Sequence, residues 1–403
     1  MKGRRRSLTN VGGPVEARGE PGAAAALAEC LSVGPPERLP FTHGFHAYPA
    51  RMHPEIARRA IRAFGPGGGG RVFDPFVGSG TTAVEALRAG LPFTGLDISR
   101  VPLAVAWVRT RVLAPGACRR VEIEGARIAN RARGGLDPEL ALPGWAREER
   151  NWYAPHTLRE IVLLADQIGR VEEDALRRIL RAVLSSLLVK LSRQESDSVA
   201  VPSRDVRPLP RGHAFDLFRA KCAELARNLL ALSRDLGRRR IRPVEPELVL
   251  ADAREFALPA ASVGLILSSP PYPGTYDYAL HHARRSPLFG EEPADVAGRE
   301  IGSRSGLSGN ERGLARYRDD LAACLANALG ALAPGGRAVL LLGDGQAGGK
   351  AILADRLVRD LARRLGARLV ATASQERLER SRRRCVQRKR EHLFLLEPAR
   401  AAT

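Results

Sequence analysis

The sequence is poor in the features that would tie a chain to a disulfide framework, a metal cluster or a bilayer. Its five cysteines, Cys30, Cys118, Cys222, Cys324 and Cys385, are scattered, with no Cys-x-x-Cys pair and no Cys/His cluster. That spacing argues against a disulfide scaffold or a zinc site and fits a reducing compartment. His43, His46 and His53 lie close together in sequence, but no carboxylate or Cys joins them at ligand spacing, so no metal is expected. No apolar run approaches the ~20 residues that cross a bilayer, and no membrane association is expected. The basic start, Met1-Lys2-Gly3-Arg4-Arg5-Arg6, is not followed by the apolar segment of a signal peptide. Residues 1–40 therefore read as a mobile basic arm of a cytoplasmic protein. Acidic residues are the minority: 44 Asp and Glu stand against 64 Lys and Arg, a net charge of +20. A polyanionic partner would suit that balance. So would the Arg-, Ala-, Gly- and Pro-rich composition that a GC-rich genome produces. The basic run from Arg377 to Arg390 suits either phosphate contact or a solvated face.

At 403 residues the chain suits one large domain or two ordinary ones. Its first ordered signal is Arg71-Val72-Phe73-Asp74-Pro75-Phe76-Val77-Gly78-Ser79-Gly80-Thr81-Thr82. A strand runs into a Gly-Ser-Gly turn, and a helix starts with Thr81 or Thr82 as its cap. Gly78 and Gly80 would let backbone approach a ligand, and the helix start favours a carboxylate or phosphate. A second strand, Leu91 to Leu96, ends on Asp97, placed to grip two ribose hydroxyls. No Lys follows the glycines, which excludes a Walker P-loop; an NAD-type Rossmann loop stays open on this segment alone.

The second signal is Ser268-Ser269-Pro270-Pro271-Tyr272, closing the apolar run Val263 to Leu267. Two consecutive prolines remove two N–H donors and fix φ, so the strand ends in a stiff tip of carbonyls, a hydroxyl and a ring. Such a tip suits a group rich in N–H donors, such as a nucleobase amine.

Taken together, Asp74-Pro75-Phe76 with its glycine loop and Ser-Pro-Pro-Tyr on a later strand resemble the S-adenosylmethionine-dependent amino-methyltransferases of DNA. In that family D-P-F-x-G-S-G-T-T is the cofactor loop and S-P-P-Y the catalytic loop. The resemblance covers about residues 41–113 and 245–398. It implies S-adenosylmethionine as cofactor, held by Asp74, Pro75, Phe76, Gly78, Gly80 and Thr81, with Asp97 on the ribose and Asp252 on the adenine amine. It implies catalysis by Ser269, Pro270, Pro271 and Tyr272. There the Ser269 hydroxyl and the Pro270 carbonyl would accept from the target NH2, and Tyr272 would stack on a base taken out of the duplex. No Pro-Cys pair is present, so the covalent cytosine-C5 route is not expected. Ser at the first position of the tip is the form commonest among cytosine-N4 enzymes. The resemblance thus points to a site-specific DNA methyltransferase of restriction–modification type, acting on cytosine N4. Adenine N6, an RNA target of the tRNA guanine-N2 type, and a non-catalytic nucleic-acid binder on the same fold remain alternatives. Tyr48-Pro49-Ala50-Arg51-Met52-His53-Pro54 is similar in part to a family segment that walls the cofactor site.

Strands alternating with helices on both sides of a long helical stretch imply an α/β fold. The expectation is a doubly wound, seven-stranded Rossmann-like sheet, its seventh strand antiparallel beside the sixth. Residues 114–244 read as a helical insertion, either a target-recognition region or a cap over the cofactor. Glu300 to Ser305 reads as a polar loop able to close on substrate.

Overall fold

The structure, a computed structural model, describes residues 13–34, 39–48, 51–67, 70–135, 141–194, 202–203, 209–307, 311–347, 350–380 and 386–398. Most of the chain is built around one eight-stranded sheet. Its strands in chain order are β1 (Val15–Gly19), β2 (Arg71–Asp74), β3 (Phe93–Asp97), β4 (Glu247–Leu250), β5 (Val263–Ser268), β6 (Leu332–Gly343), β9 (Ala367–Arg380) and β10 (Val386–Pro398). Between β6 and β9, β7 (Gly345–Ala347) and β8 (Lys350–Ile352) form a small separate hairpin. The strand order is β1-β9-β10-β6-β5-β2-β3-β4. Pairing is parallel from β6 through β4 and antiparallel for β10 against both β6 and β9, as the resemblance implies.

The order reverses between β2 and β5. From β2 the chain winds outward to β3 and β4; from β5 it winds the other way to β6. The crevice at the carboxyl ends of two such strands is where open α/β sheets bind ligands. Asp74 closes β2 and Ser268 closes β5, so both sequence motifs sit at that switch point.

Helices cover both faces. Helix α1 (Pro21–Leu31) and α2 (Pro54–Phe64) lie over one apolar cluster that includes Leu265, Leu267 and Val339. In α2 the buried Ile56, Ala60 and Ile61 recur at helical spacing. Helix α3 (Thr81–Ala89) follows the glycine loop, and α4 (Arg100–Arg109) follows β3. The stretch after α4 is helical: α5 (Pro115–Gly134), the short α6 (Gly144–Glu148), α7 (Pro155–Gly169), α8 (Asp174–Leu191) and α9 (His213–Arg238). Its long helices share their own core, joined by Phe45 and Val108. Beyond β5 come α10 (Tyr278–His282), α11 (Pro293–Arg299), α12 (Glu311–Gly330) and α13 (Ala354–Arg364).

The fold departs from expectation at its amino-terminal edge. Residues 13–34 are not an arm. Strand β1 pairs antiparallel with β9, from Val15↔Gln375 to Gly19↔Ala371, and makes the sheet eight-stranded rather than seven. Pro21 opens α1 at the position where a missing N–H costs nothing. Leu27, Cys30 and Leu31, at i, i+3 and i+4, are buried against β9 and its neighbours. Residues 1–12 lie outside the described ones, as do Pro49, Ala50, most of the polar loop after Ser192, and the side chains of most of the basic run.

Candidate functional site

An open cleft, about 970 Å³ of empty space counted to its mouth, lies at the switch point. Both halves of the sequence signal line it. From the first half come Asp74, Pro75, Phe76, Gly78, Thr81 and Asp97; from the second, Asp252, Ser269 and Pro271.

The two halves are joined by a hydrogen bond. Ser268 Oγ donates to Asp74 Oδ1 at 2.6 Å, across adjacent strands, and the Phe76 N–H donates to the same oxygen at 3.1 Å. Asp74 is only 3% exposed. Burial pushes its carboxyl up to about 6, against the pull of the hydrogen bonds from Ser268, Phe76 and Thr82. Asp97 accepts the Ser99 N–H at 3.0 Å, and burial with the nearby Glu291 carboxylate raises it to about 7.

The glycine loop is shaped by contacts that a side chain would obstruct. Gly78 has φ +49°, and a Cβ there would lie 3.1 Å from the Tyr48 hydroxyl. Gly80 has φ +80°, and its Cβ would meet Ala106 at 2.7 Å. Gly80 itself is the N-cap of α3 and no side chain caps the helix, so Thr81 and Thr82 lie inside the helix instead of capping it. Among the described residues that leaves the first N–H groups of α3 without a side-chain cap, beside a cleft that Thr81 and Thr82 line. Arg109, fully buried, fastens the loop from behind. Its guanidinium donates to the carbonyls of Ser79 at 2.8 Å and of His43 and His46 at 3.0 Å. Burial, with repulsion from Arg51, holds its pKa well below the usual arginine range.

Asp252 reaches the cleft after β4 but is already engaged. Arg254 grips it through Nε at 3.0 Å and Nη2 at 2.6 Å. Burial opposes ionisation of Asp252, yet these bonds and the Arg254 charge carry its pKa below the ordinary value.

The tip itself divides. Ser269 and Pro271 are half-buried and face the cleft, and the Ser269 hydroxyl has no hydrogen bond among the described residues. Pro270 is buried and is not part of the lining. Tyr272 departs from its expected place as a stacking ring. It is 5% exposed, its hydroxyl donates to Glu391 at 2.8 Å, and its ring packs where a Cβ on Gly343 would fall. The bend after Pro271 sends the ring toward β6 and β10 and away from the cleft.

Aromatic lining comes from residues with weaker sequence signals. Tyr48 stacks near Tyr278, centroids 6.4 Å apart, and near His282 at 5.2 Å. Tyr48 belongs to the Tyr-Pro segment, so it was legible; His282 carried no pattern. Glu300, in the polar loop, also lines the cleft. It accepts the N–H groups of Tyr278 at 2.6 Å and Ala279 at 3.2 Å, and burial raises it to about 7. Glu291 performs a similar task at α4, accepting from Ser99 Oγ at 2.8 Å and the Arg100 N–H at 2.6 Å. Glu291 thus pins the segment after the tip to the start of α4, and Glu300 ties that segment back on itself.

The arrangement offers a helix start for a carboxylate, acids at two strand ends for hydroxyl or amine donors, and a free hydroxyl beside a flat aromatic wall. A group carrying an amino acid end and a ribose fits the helix start and the acids, because no Cβ occupies the loop at Gly78 or Gly80.

Residues 30–106 match the family described as DNA methylase, N6_N4_Mtase. That span holds Tyr48, the glycine loop and Asp97 and stops short of the Ser-Pro-Pro-Tyr tip. The Type II methyltransferase M.MvaI of Kocuria varians is 27% identical over 157 residues, which is 38% of this chain and 34% of that protein. M.MjaII of Methanocaldococcus jannaschii, also a Type II methyltransferase, is 35% identical over 74 residues, 18% of this chain and 14% of that protein. The chain thus spans about a third or less of the length of these curated relatives. Among solved structures, TrmN from Thermus thermophilus is similar at 16% identity and a TM-score of 0.30, over 86% of this chain and 49% of that one. A TehB-like SAM-dependent methyltransferase from Corynebacterium glutamicum is similar at 12% identity and a TM-score of 0.31, over 85% and 86%.

Proposed function

From a chain whose residues 30–106 carry the N6/N4 DNA methylase signature, we infer a DNA methyltransferase that uses S-adenosylmethionine and modifies an exocyclic amine, cytosine N4 by preference. One observation carries this reading: the Ser269 tip and the Asp74–Asp97 loop region line the same cleft, at the switch point of the sheet. The cofactor, when bound, supplies a methyl group on a sulfonium.

Each residue then has a physical task. The uncapped start of α3 would face the carboxylate of the methionine end, with Asp74 set for its ammonium. Asp97 would accept the two ribose hydroxyls. Asp252 keeps lone pairs beyond those Arg254 uses, enough to accept one amine hydrogen. Ser269 would accept an N–H of the target amine and turn its lone pair out of conjugation with the ring. With the cofactor bound, the chemistry available would be displacement at its methyl carbon by the amine nitrogen, the carbon–sulfur electron pair staying on sulfur. The nitrogen, cationic after transfer, then sheds a proton that is acidic enough to need no strong base. Orientation and directed dipoles supply the rate, without a covalent enzyme intermediate. The net charge of +20 favours binding of the DNA backbone.

The choice of cytosine rests on Ser269 at the head of the tip. The test is to incubate the protein with labelled S-adenosylmethionine and unmodified DNA, digest to nucleosides and identify the labelled base. N4-methylcytosine is expected. N6-methyladenine would keep the family reading and overturn the base. Label found only with tRNA or rRNA would move the target to RNA.

A further inference from the structure

We propose that His282 reads the ring edge of the target base, in a slot walled by Tyr48 and Tyr278 beside Ser269. The inference rests on the amine-methylation reading above and adds to it the group that recognises the base. His282 is 2% exposed and lines the cleft with Ser269, Tyr48 and Tyr278. Neither of its ring nitrogens has a hydrogen-bond partner among the described residues. His43, His46 and His392 each have at least one ring nitrogen bonded, to Glu85 at 2.7 Å, Ser185 at 3.1 Å and Ser374 at 2.7 Å; His282 has neither. A buried polar group left unpaired is costly, and in a cleft wall such a group marks a place where a ligand completes the bond.

The ring is neutral, because burial and the positive Arg285 hold it well below the usual imidazole range. A neutral imidazole has one donor and one acceptor. Both cytosine and adenine carry an acceptor ring nitrogen next to the exocyclic amine. With the amine on Ser269, the His282 N–H would meet that nitrogen. Tyr272 cannot supply the stacking surface, since its ring is buried and its hydroxyl is bonded to Glu391. Tyr48 and Tyr278, inclined by only 28° to each other, present the flat wall instead. Tyr48 also abuts Gly78, which places this wall next to the cofactor loop.

The test compares the wild type with His282→Phe, His282→Asn and His282→Gln. His282→Phe keeps the aromatic volume and removes the unpaired nitrogens. It should melt at the wild-type temperature or above and bind S-adenosylmethionine within twofold of wild type. Its kcat/KM for methylation of unmodified plasmid DNA should fall by about tenfold or more, the usual loss for one hydrogen bond to a substrate. Asn or Gln, each with a donor placed like one of the ring nitrogens, should recover a large part of that loss. An unchanged rate in His282→Phe would overturn the proposal. A cofactor affinity that falls in step with the rate would instead assign His282 to the cofactor. A lowered melting temperature with no rescue by Asn or Gln would make it a packing residue. If the wild type methylates no DNA base at all, the reading beneath the inference fails, and the inference fails with it.

Discussion

Replacing Asp74 by Asn separates the cost of a buried acid from its use. The carboxyl is nearly inaccessible, and burial raises it from the ordinary 3.8 to about 6. Between about pH 4 and pH 6 the folded protein therefore holds a proton at Asp74 that the unfolded chain has released. Stability falls with pH across that window, because the folded state binds more protons there. About two pKa units correspond to about 3 kcal/mol, the penalty of the ionised form at neutral pH. The uncharged amide of Asp74→Asn carries no such penalty. It can keep both bonds to Oδ1, from Ser268 Oγ and the Phe76 N–H, because those use a carbonyl-type oxygen. In urea unfolding the variant should match the wild type near pH 4 and exceed it by up to about 3 kcal/mol at pH 7 to 8. S-adenosylmethionine affinity should move the other way, falling at neutral pH through loss of the negative charge. A stability difference that does not change with pH would refute the account of Asp74, as would a variant less stable at pH 8.

Other perturbations probe the parts that position the cleft. Arg109→Met removes the guanidinium from the Ser79 carbonyl and leaves those of His43 and His46 to Arg51 alone; it should cost about 1–3 kcal/mol, read as a lower urea midpoint with an unchanged slope. Gly80→Ala places a Cβ 2.7 Å from Ala106 at φ +80° and should cost about 1–3 kcal/mol and weaken cofactor binding measured by calorimetry. Leu27→Ala should destabilise by about 2–5 kcal/mol in the same assay, as expected of a core residue and not of a tail. Binding of duplex DNA, followed by anisotropy, should weaken steeply with salt; a flat response would remove the polyanion argument.

The strand–loop–helix from Arg71 to Ala89 and the strand ending at Ser268 were legible because each is local. An apolar run, a glycine turn and a helix start lie within a dozen residues, and the switch point follows from strand order alone. The amino-terminal edge was not legible, because β1 has one half-buried residue and four exposed ones. Val-Glu-Ala-Arg alternates, but over only four residues and with small apolar groups that stay largely exposed; the strand exists because the edge of β9 supplies the ladder. The small, alanine-rich α1 gave too little amphipathic contrast to be seen, although Leu27, Cys30 and Leu31 form its inner face. Tyr272 was misplaced for a related reason. Side-chain alternation ends where the strand ends, and the direction of a ring beyond two prolines depends on partners over a hundred residues away, here Glu391. His282 escaped, and Glu300 was legible only as part of a polar loop, because their places come from the fold of the segment after the tip, which brings them back to the cleft.

On the proposed function, one cleft holds both a methyl donor and a base amine, with Ser269 at the amine. Single-turnover methylation of plasmid DNA by the wild type and Ser269→Ala, with cofactor affinity measured on the same samples, tests it most directly. The wild type should label the cytosine amino group. The variant should be slower by about a hundredfold, the scale of losing one directed hydrogen bond in a reaction centre, with cofactor affinity unchanged. Equal rates in the two proteins, or label on a carbon instead of an exocyclic nitrogen, would contradict it.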